Sequence, residues 1–383
     1  TILTREPPGR NYRGKPTRQW SAIASPSRSI PSTPKVAVSV TGAAGTWTVG
    51  ATLTYQWQVY DTVGSTWINA SGTGNAAATW TPAATMAGLT GRLAVTGTLT
   101  GYVDATVYSN TFIVSYGTLS TGTVSLVSAK VAVSGGVSTG TWTASTSFTY
   151  LWQVSSDNSS WSTASGGAST SSTYTPTTAE AGKYLRVQVT GSLSGYDSQT
   201  VTSNSVVIAN GTFTNSTVPT TSAHKVAVAS TSTDGTWSLA GTTYTYRWLI
   251  SATSGGTYTA VGSATSSTYT PTTDQAGQWL KLEVTAASTG YTSVVATSVA
   301  TQIANGTFTN TAVPTTSAHK VAVASTSTDG TWSLAGTTYT YRWLISGTQA
   351  GTYTAVGSAT ASTYTPTAAQ AGQWLKLEVT AAS

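Results

Sequence analysis

Two histidines, eleven acidic residues and no cysteine are the raw material for chemistry in this 383-residue chain. His224 and His319 stand in the same heptapeptide, SAHKVAV, 95 positions apart, so each is isolated where a metal ion would need several ligands together. Each reads as a polar residue at the point where the chain enters a strand. The acids Asp157, Glu180, Asp234, Asp274 and Glu283 are scattered singly, without the paired spacing that holds calcium, and are expected to be solvated turn residues. Without cysteine there is neither a thiolate nucleophile nor a disulfide. No GxSxG elbow, phosphate-binding loop or dinucleotide fingerprint occurs, and no two titratable groups are placed to shift one another. These residues point away from an enzyme and call for no cofactor or metal.

The densest charge lies at the start, in "TREPPGRNYRGKPTRQW". Residues 1–34 hold Arg5, Arg10, Arg13, Lys15, Arg18 and Arg28 against the single acid Glu6, whereas the remaining residues carry 11 basic and 10 acidic side chains. Almost the whole net charge of +6 therefore belongs to this arm, which carries +5 of it. Six of the 12 prolines also fall there, so the segment is expected to be extended rather than to bury a core. Its arginines suit carboxylates, and Tyr12, Trp20 and Ile23 could fill pockets along a groove, which makes a protein surface the favoured partner. Nucleic acid is the weaker alternative, because the nearly neutral remainder offers no supporting basic face.

What must carry this arm is a repeated unit. "KVAV" begins at Lys35, Lys130, Lys225 and Lys320, and "GTW" follows at Trp47, Trp142, Trp237 and Trp332. A Tyr-x-Trp pair comes next, ending at Trp57, Trp152, Trp248 and Trp343; then Thr-Pro at Pro82, Pro176, Pro271 and Pro366; then Ala-Gly. Within a unit, "WLKLEVTA" sends Leu280, Leu282 and Val284 one way and Lys281, Glu283 and Thr285 the other, the period-two alternation of a half-buried strand. Gly-Ser-Thr clusters separate such stretches and read as turns. The reading is all-β, with tandem β-sandwiches: an arm over 1–34 and repeats over 35–115, 116–209, 210–304 and 305–383. The eight tryptophans of the GTW and Tyr-x-Trp motifs are expected in the cores.

The order KVAV, GTW, YxW, "SSTYTPT", "AEAGKYLRVQVT" and "GY" resembles the bacterial immunoglobulin-like repeats of cell-surface proteins and of tailed-bacteriophage virion proteins. The resemblance spans residues 35–383. The Tyr-x-Trp tryptophan is similar to the core tryptophan of such domains, and "EAGKY" to the turn leading into a late strand. Departures are the missing cysteine pair and "TMAGLTGRL" in the first repeat, which lacks the expected aromatic. In some immunoglobulin-like adhesins a lysine and an asparagine join covalently beside an acid; Lys130, Asn204 and Glu180 are the residues that would do so here.

Repeats three and four differ at only eight of 79 aligned positions, the pattern of a recently duplicated spacer. The fourth copy stops at Ser383, short of the strand that closes the third, so further repeats are expected to follow. The opening residues lack the apolar stretch of a secretory signal, so a chain assembled from the cytoplasm is expected. Trp67, Trp161, Tyr258 and Tyr353 are candidate sugar platforms, the alternative being that they pack over the sandwich edge. The resemblance and the arm together imply a structural protein on a bacteriophage virion surface. The arm would dock on capsid or tail proteins, the copies would associate, and the repeats would serve as spacer or weak adhesin for host carbohydrate. A secreted bacterial surface adhesin or stalk is the second reading.

Overall fold

The computed structural model describes residues 20–21, 30, 32–333 and 337–382. The described chain falls into two compact units. The first runs through Thr212 and takes in Ser288–Thr292; the second holds Phe213–Ala287 and the described residues from Ser293 onward. The protein is all-β, a tandem array of immunoglobulin-like β-sandwiches.

Each sandwich is organised by two long antiparallel strands. They pair Thr52–Asp61 with Thr90–Thr98, Ser147–Ser155 with Tyr184–Ser192, Thr243–Ser251 with Trp279–Ala287, and Thr338–Ser346 with Trp374–Ala382. The period-two pattern sets the register. Trp57, Trp152, Trp248 and Trp343 stand opposite Leu93, Val187, Leu282 and Leu377, all on the face turned to the opposing layer. Shorter strands extend this sheet, and small ladders such as Val40–Thr41 with Thr79–Pro82 and Gly135–Gly136 with Thr173–Tyr174 build the layer across from it.

The four tryptophans of the Tyr-x-Trp motif are fully buried. A buried indole N–H must find an acceptor. Here it donates to a backbone carbonyl about twenty residues on: Ala77, Ser171, Ser266 and Ala361, at 2.8–3.0 Å. Against each indole lies the aromatic two residues before the Thr-Pro proline: Trp80, Tyr174, Tyr269 or Tyr364, with centroids 5.1–5.8 Å apart. The GTW tryptophans lie nearer the rim, Trp142 and Trp237 buried and Trp47 and Trp332 half-buried. Each closes its own turn by donating to the carbonyl three residues back.

The KVAV motif is a bend rather than a continuous strand. Ala37, Ala132, Ala227 and Ala322 have φ of 60–62°, in the left-handed region. Their amides donate to the carbonyls of Pro82, Pro176, Pro271 and Pro366 at 2.9–3.0 Å. Two motifs about 45 residues apart are thus joined by the same hydrogen bond in every copy.

Repeats three and four differ in how far their cores are covered. In the third, Val294–Thr297 and Thr301–Gln302 line the second long strand, and Leu280, Leu282, Val284 and Ile303 are fully buried. In the fourth, Leu375, Leu377 and Val379 are half-buried.

An L-residue at φ near +60° carries about 1–2 kcal/mol of strain that glycine escapes, partly offset by glycine's greater entropy loss on folding. Ala132→Gly is therefore expected to stabilise the second repeat by up to about 1 kcal/mol, seen as a rise of about 5 °C in its thermal transition by calorimetry.

Candidate functional site

Arg5, Arg10, Tyr12, Arg13, Lys15, Arg18 and Ile23 lie outside the described residues. The backbone of Trp20–Ser21 is described: it runs parallel to Tyr102–Val103 of the first repeat, Trp20 opposite Tyr102 and Ser21 opposite Val103.

That pairing repeats one used to join domains. In the first unit the linker Gly117–Thr118 runs parallel to Tyr196–Asp197, Gly117 opposite Tyr196. The Gly117 amide donates to the Gly195 carbonyl at 2.9 Å, and a methyl group on Gly117 would run into the Tyr196 ring. Gly195 has φ of 79°, and a side chain there would strike the Ala84 backbone of the first repeat. Tyr196 packs against the core cluster of the first repeat that contains Trp57. The turn at Ser288–Thr292 repeats the arrangement, with Gly211 paired to Tyr291 and Tyr291 set against the second repeat's core. The "GY" dipeptide, noted in the sequence only as a family mark, is a joint.

The four candidate platform rings occupy equivalent places, each half-buried and each with a cation over one face. The cations stand on the second long strand, at the position where alternation points outward. Arg92 Cζ lies 4.1 Å from the Trp67 centroid and 3.8 Å from that of Tyr108, so its guanidinium is held between two rings. Arg186 lies 4.1 Å over Trp161, and Lys281 and Lys376 lie 4.1 and 4.2 Å over Tyr258 and Tyr353. The Nε of Arg92 donates to Gln58 and that of Arg186 to Gln153, both at 2.9 Å. The hydroxyls of Tyr258 and Tyr353 are tied back to the carbonyls of Ser254 and Gln349. Sequence reasoning found the rings but missed Gln58, Arg92, Tyr108, Gln153 and Arg186. Strand registry could have found the arginines, since each faces its glutamine across the long pair.

The remaining candidates are dispersed. Lys130 Nζ donates to Thr212 at 3.1 Å, Asn204 exchanges two hydrogen bonds with the backbone of Leu126, and Glu180 is engaged elsewhere, so no covalent cross-link is assembled. Glu180 is not the solvated turn residue expected. It is buried beside Tyr174 and accepts from the Tyr174 hydroxyl, the Thr177 amide and the amide and hydroxyl of Ser165 at 2.7–3.2 Å. Burial alone would raise its pKa, but these donors outweigh burial and hold it below the ordinary carboxylate range. Gln275 and Gln370 take its place in repeats three and four, each accepting from a tyrosine hydroxyl at 2.7 Å.

Asp234 and Glu283 are also engaged, Asp234 by the Tyr246 hydroxyl at 2.7 Å and Glu283 by Arg247 at 2.7 Å. Asp274 is exposed, while Asp157 is an exposed turn acid capping the amides of Ser159 and Ser160. His224 is buried edge-on against Trp248, with Nδ1 2.8 Å from the Ser230 hydroxyl, and burial lowers its pKa. His319 keeps the equivalent Ser325 contact at 2.8 Å in more exposed surroundings. Among the described residues no group of three or more metal-ligating side chains converges, and no helix is long and apolar enough to cross a membrane.

Neither a described protein family nor a curated protein sequence matches the chain. Among solved structures it is similar to a Ca2+-stabilised adhesin that helps an Antarctic bacterium reach out and bind ice. Identity there is 16% and the TM-score 0.34, over 93% of this chain and 91% of that one. Three N-terminal domains of the highly immunogenic outer capsid protein of bacteriophage RB49 align at 15% identity and a TM-score of 0.25, over 72% and 96%. A tetra-tandem repeat from the extending region of a large adhesion protein aligns at 13% and 0.23, over 91% and 89%. At such identities the likeness concerns the repeated fold alone.

Two outcomes follow from the joint and the buried acid. Tyr196→Ala is expected to cost about 2 kcal/mol of coupling between the first two repeats, read as faster proteolytic cleavage near Gly117 in the full chain. Because the Glu180 carboxyl is depressed in the folded state, its contribution is present above about pH 4 and is lost as pH falls further. Glu180→Gln should flatten the acid limb of the second repeat's stability curve while costing about 1 kcal/mol at neutral pH, measured by urea unfolding across pH.

Proposed function

We propose that this is a non-enzymatic structural protein of a bacteriophage virion, attached to capsid or tail through residues 1–34. In this reading its immunoglobulin-like repeats project as a spacer and as a weak adhesin for host-surface glycans. The observation that carries the reading is the shared register of arm and linker. Trp20–Ser21 lies on the Gly-Tyr turn of the first repeat as Gly117–Thr118 lies on that of the second. The chain thus enters each of the first three sandwiches by the same joint, an arrangement suited to setting modules at intervals from an anchored end. The concentration of positive charge in residues 1–34 supports attachment to an acidic protein groove, for which a pre-extended proline-rich segment loses comparatively little entropy.

The proposed modules are the arm and repeats over 35–115, 116–209, 210–304 and 305–383, with many tethered copies strengthening weak contacts through multivalency. Partners in this reading are virion proteins at the arm, host carbohydrate at the repeats, and other copies of the chain.

Deleting residues 1–19 from the full chain is expected to abolish its incorporation into particles while leaving its thermal unfolding within about 1 °C of the intact protein. Cryo-electron microscopy of the native particle should then place the arm between other subunits. An arm free of contacts, on protein recovered from cell walls instead, would replace this reading with that of a bacterial surface adhesin.

A further inference from the structure

The arginines of the two halves of the chain are treated differently. In repeats three and four, the outward arginines Arg247 and Arg342 are neutralised across the long strand pair by Glu283 and Glu378, at 2.7 and 2.6 Å. In repeats one and two, Arg92 and Arg186 have no carboxylate within ion-pair distance among the described residues, although both are half-buried and fixed in place. Gln58 or Gln153 holds the Nε, and Trp67 or Trp161 supports the guanidinium plane. Around Arg92 the second face is covered as well, by Tyr108. What the stacking leaves available is the N–H edge of the plane.

We propose that the Gln58–Arg92–Trp67 and Gln153–Arg186–Trp161 clusters are two subsites for the carboxylates of an acidic polysaccharide. A guanidinium covered on its faces presents coplanar donors along its edge, and a planar carboxylate meets that edge with two parallel hydrogen bonds. One cation in each cluster matches one negative charge. The side chain is already ordered, so little rotamer entropy remains to be lost on binding. The rims of Trp67, Tyr108 and Tyr60, the last edge-on to Trp67 with centroids 5.4 Å apart, give the C–H faces of a sugar ring an aromatic surface beside the charge. Two subsites in consecutive repeats suit a polymer that offers a carboxylate at regular intervals. The assignment rests on the glycan-binding part of the proposed function and names its substrate class.

The test uses the full-length chain and hexagalacturonate as probe, with a neutral galactose hexamer and a glycerol phosphate hexamer as comparators, by isothermal titration at low and at physiological salt. The subsites predict saturable binding of hexagalacturonate that weakens with salt, and at least tenfold weaker binding of both comparators. Arg92→Gln with Arg186→Gln should lower affinity about tenfold or more. Arg92→Lys with Arg186→Lys should lower it about threefold or more despite the retained charge, because the fork is lost. Arg247→Gln with Arg342→Gln should leave it unchanged. Gln58→Ala with Gln153→Ala keeps both charges and loosens only the orientation; its expected loss is about threefold, and it decides the matter if the arginine variants fail to fold.

Absence of binding, equal binding of the glycerol phosphate probe, or affinity unaltered in the Arg92/Arg186 variant would overturn the subsites. Adhesion of the intact protein to host cells that survives the Arg92/Arg186 change would remove this site and leave the adhesive reading standing. Absence of any cell adhesion would remove that broader reading as well.

Discussion

A buried indole whose N–H must be satisfied is the constraint on which each sandwich depends. Trp57, Trp152, Trp248 and Trp343 fill the centre between two thin layers, and each reaches a carbonyl in the loop before the Thr-Pro motif. That single bond draws the loop over the core and brings the next aromatic, Trp80, Tyr174, Tyr269 or Tyr364, onto the indole face. The Thr-Pro carbonyl then lies where the left-handed alanine of KVAV can donate to it. Packing, hydrogen bonding and chain direction in the repeat are therefore consequences of one side chain whose polar atom cannot be left dry.

The same economy governs the joints. Gly195 and Tyr196 form a turn that belongs to the second repeat by sequence and contributes to the first repeat's core cluster by packing. Glycine is required twice, once where the backbone turns left-handed against Ala84 and once where Gly117 must lie flat on the tyrosine ring. A linker held by parallel pairing and a seated aromatic transmits position from one module to the next. The parallel pairing of Trp20–Ser21 with Tyr102–Val103 gives the arm the same mode of entry.

On the outward face, charge is arranged with equal consistency. Every repeat sets a cation over an aromatic ring, an arrangement that shields the ring and orders a long flexible side chain. The chain then diverges: across the long pair Glu283 and Glu378 face and neutralise Arg247 and Arg342, where the first two repeats set Ala94 opposite Gln56 and Gln188 opposite Leu151, and among the described residues Arg92 and Arg186 have no acid within ion-pair distance. The third and fourth copies share the arginine–glutamate pair and a lysine over the ring, whereas the first two set an arginine there.

The sequence alone determined the strand pattern, because alternation along "WLKLEVTA" and its counterparts has only one solution that buries leucine and valine on a single face. It also determined the repeated tryptophans, since an aromatic recurring every 95 residues or so within apolar alternation belongs to a core. The tertiary structure decided what depends on distant partners. Glu180 looks like any turn acid until Tyr174 and Ser165 are folded over it, and KVAV looks like a strand until its alanine meets the proline carbonyl. "GY" becomes a joint only when another repeat packs against it, and Trp67 becomes part of a cation site only when strand register brings Arg92 over its ring. Local periodicity is written in neighbouring residues, whereas burial of charge and the seating of one element on another depend on residues tens of positions away.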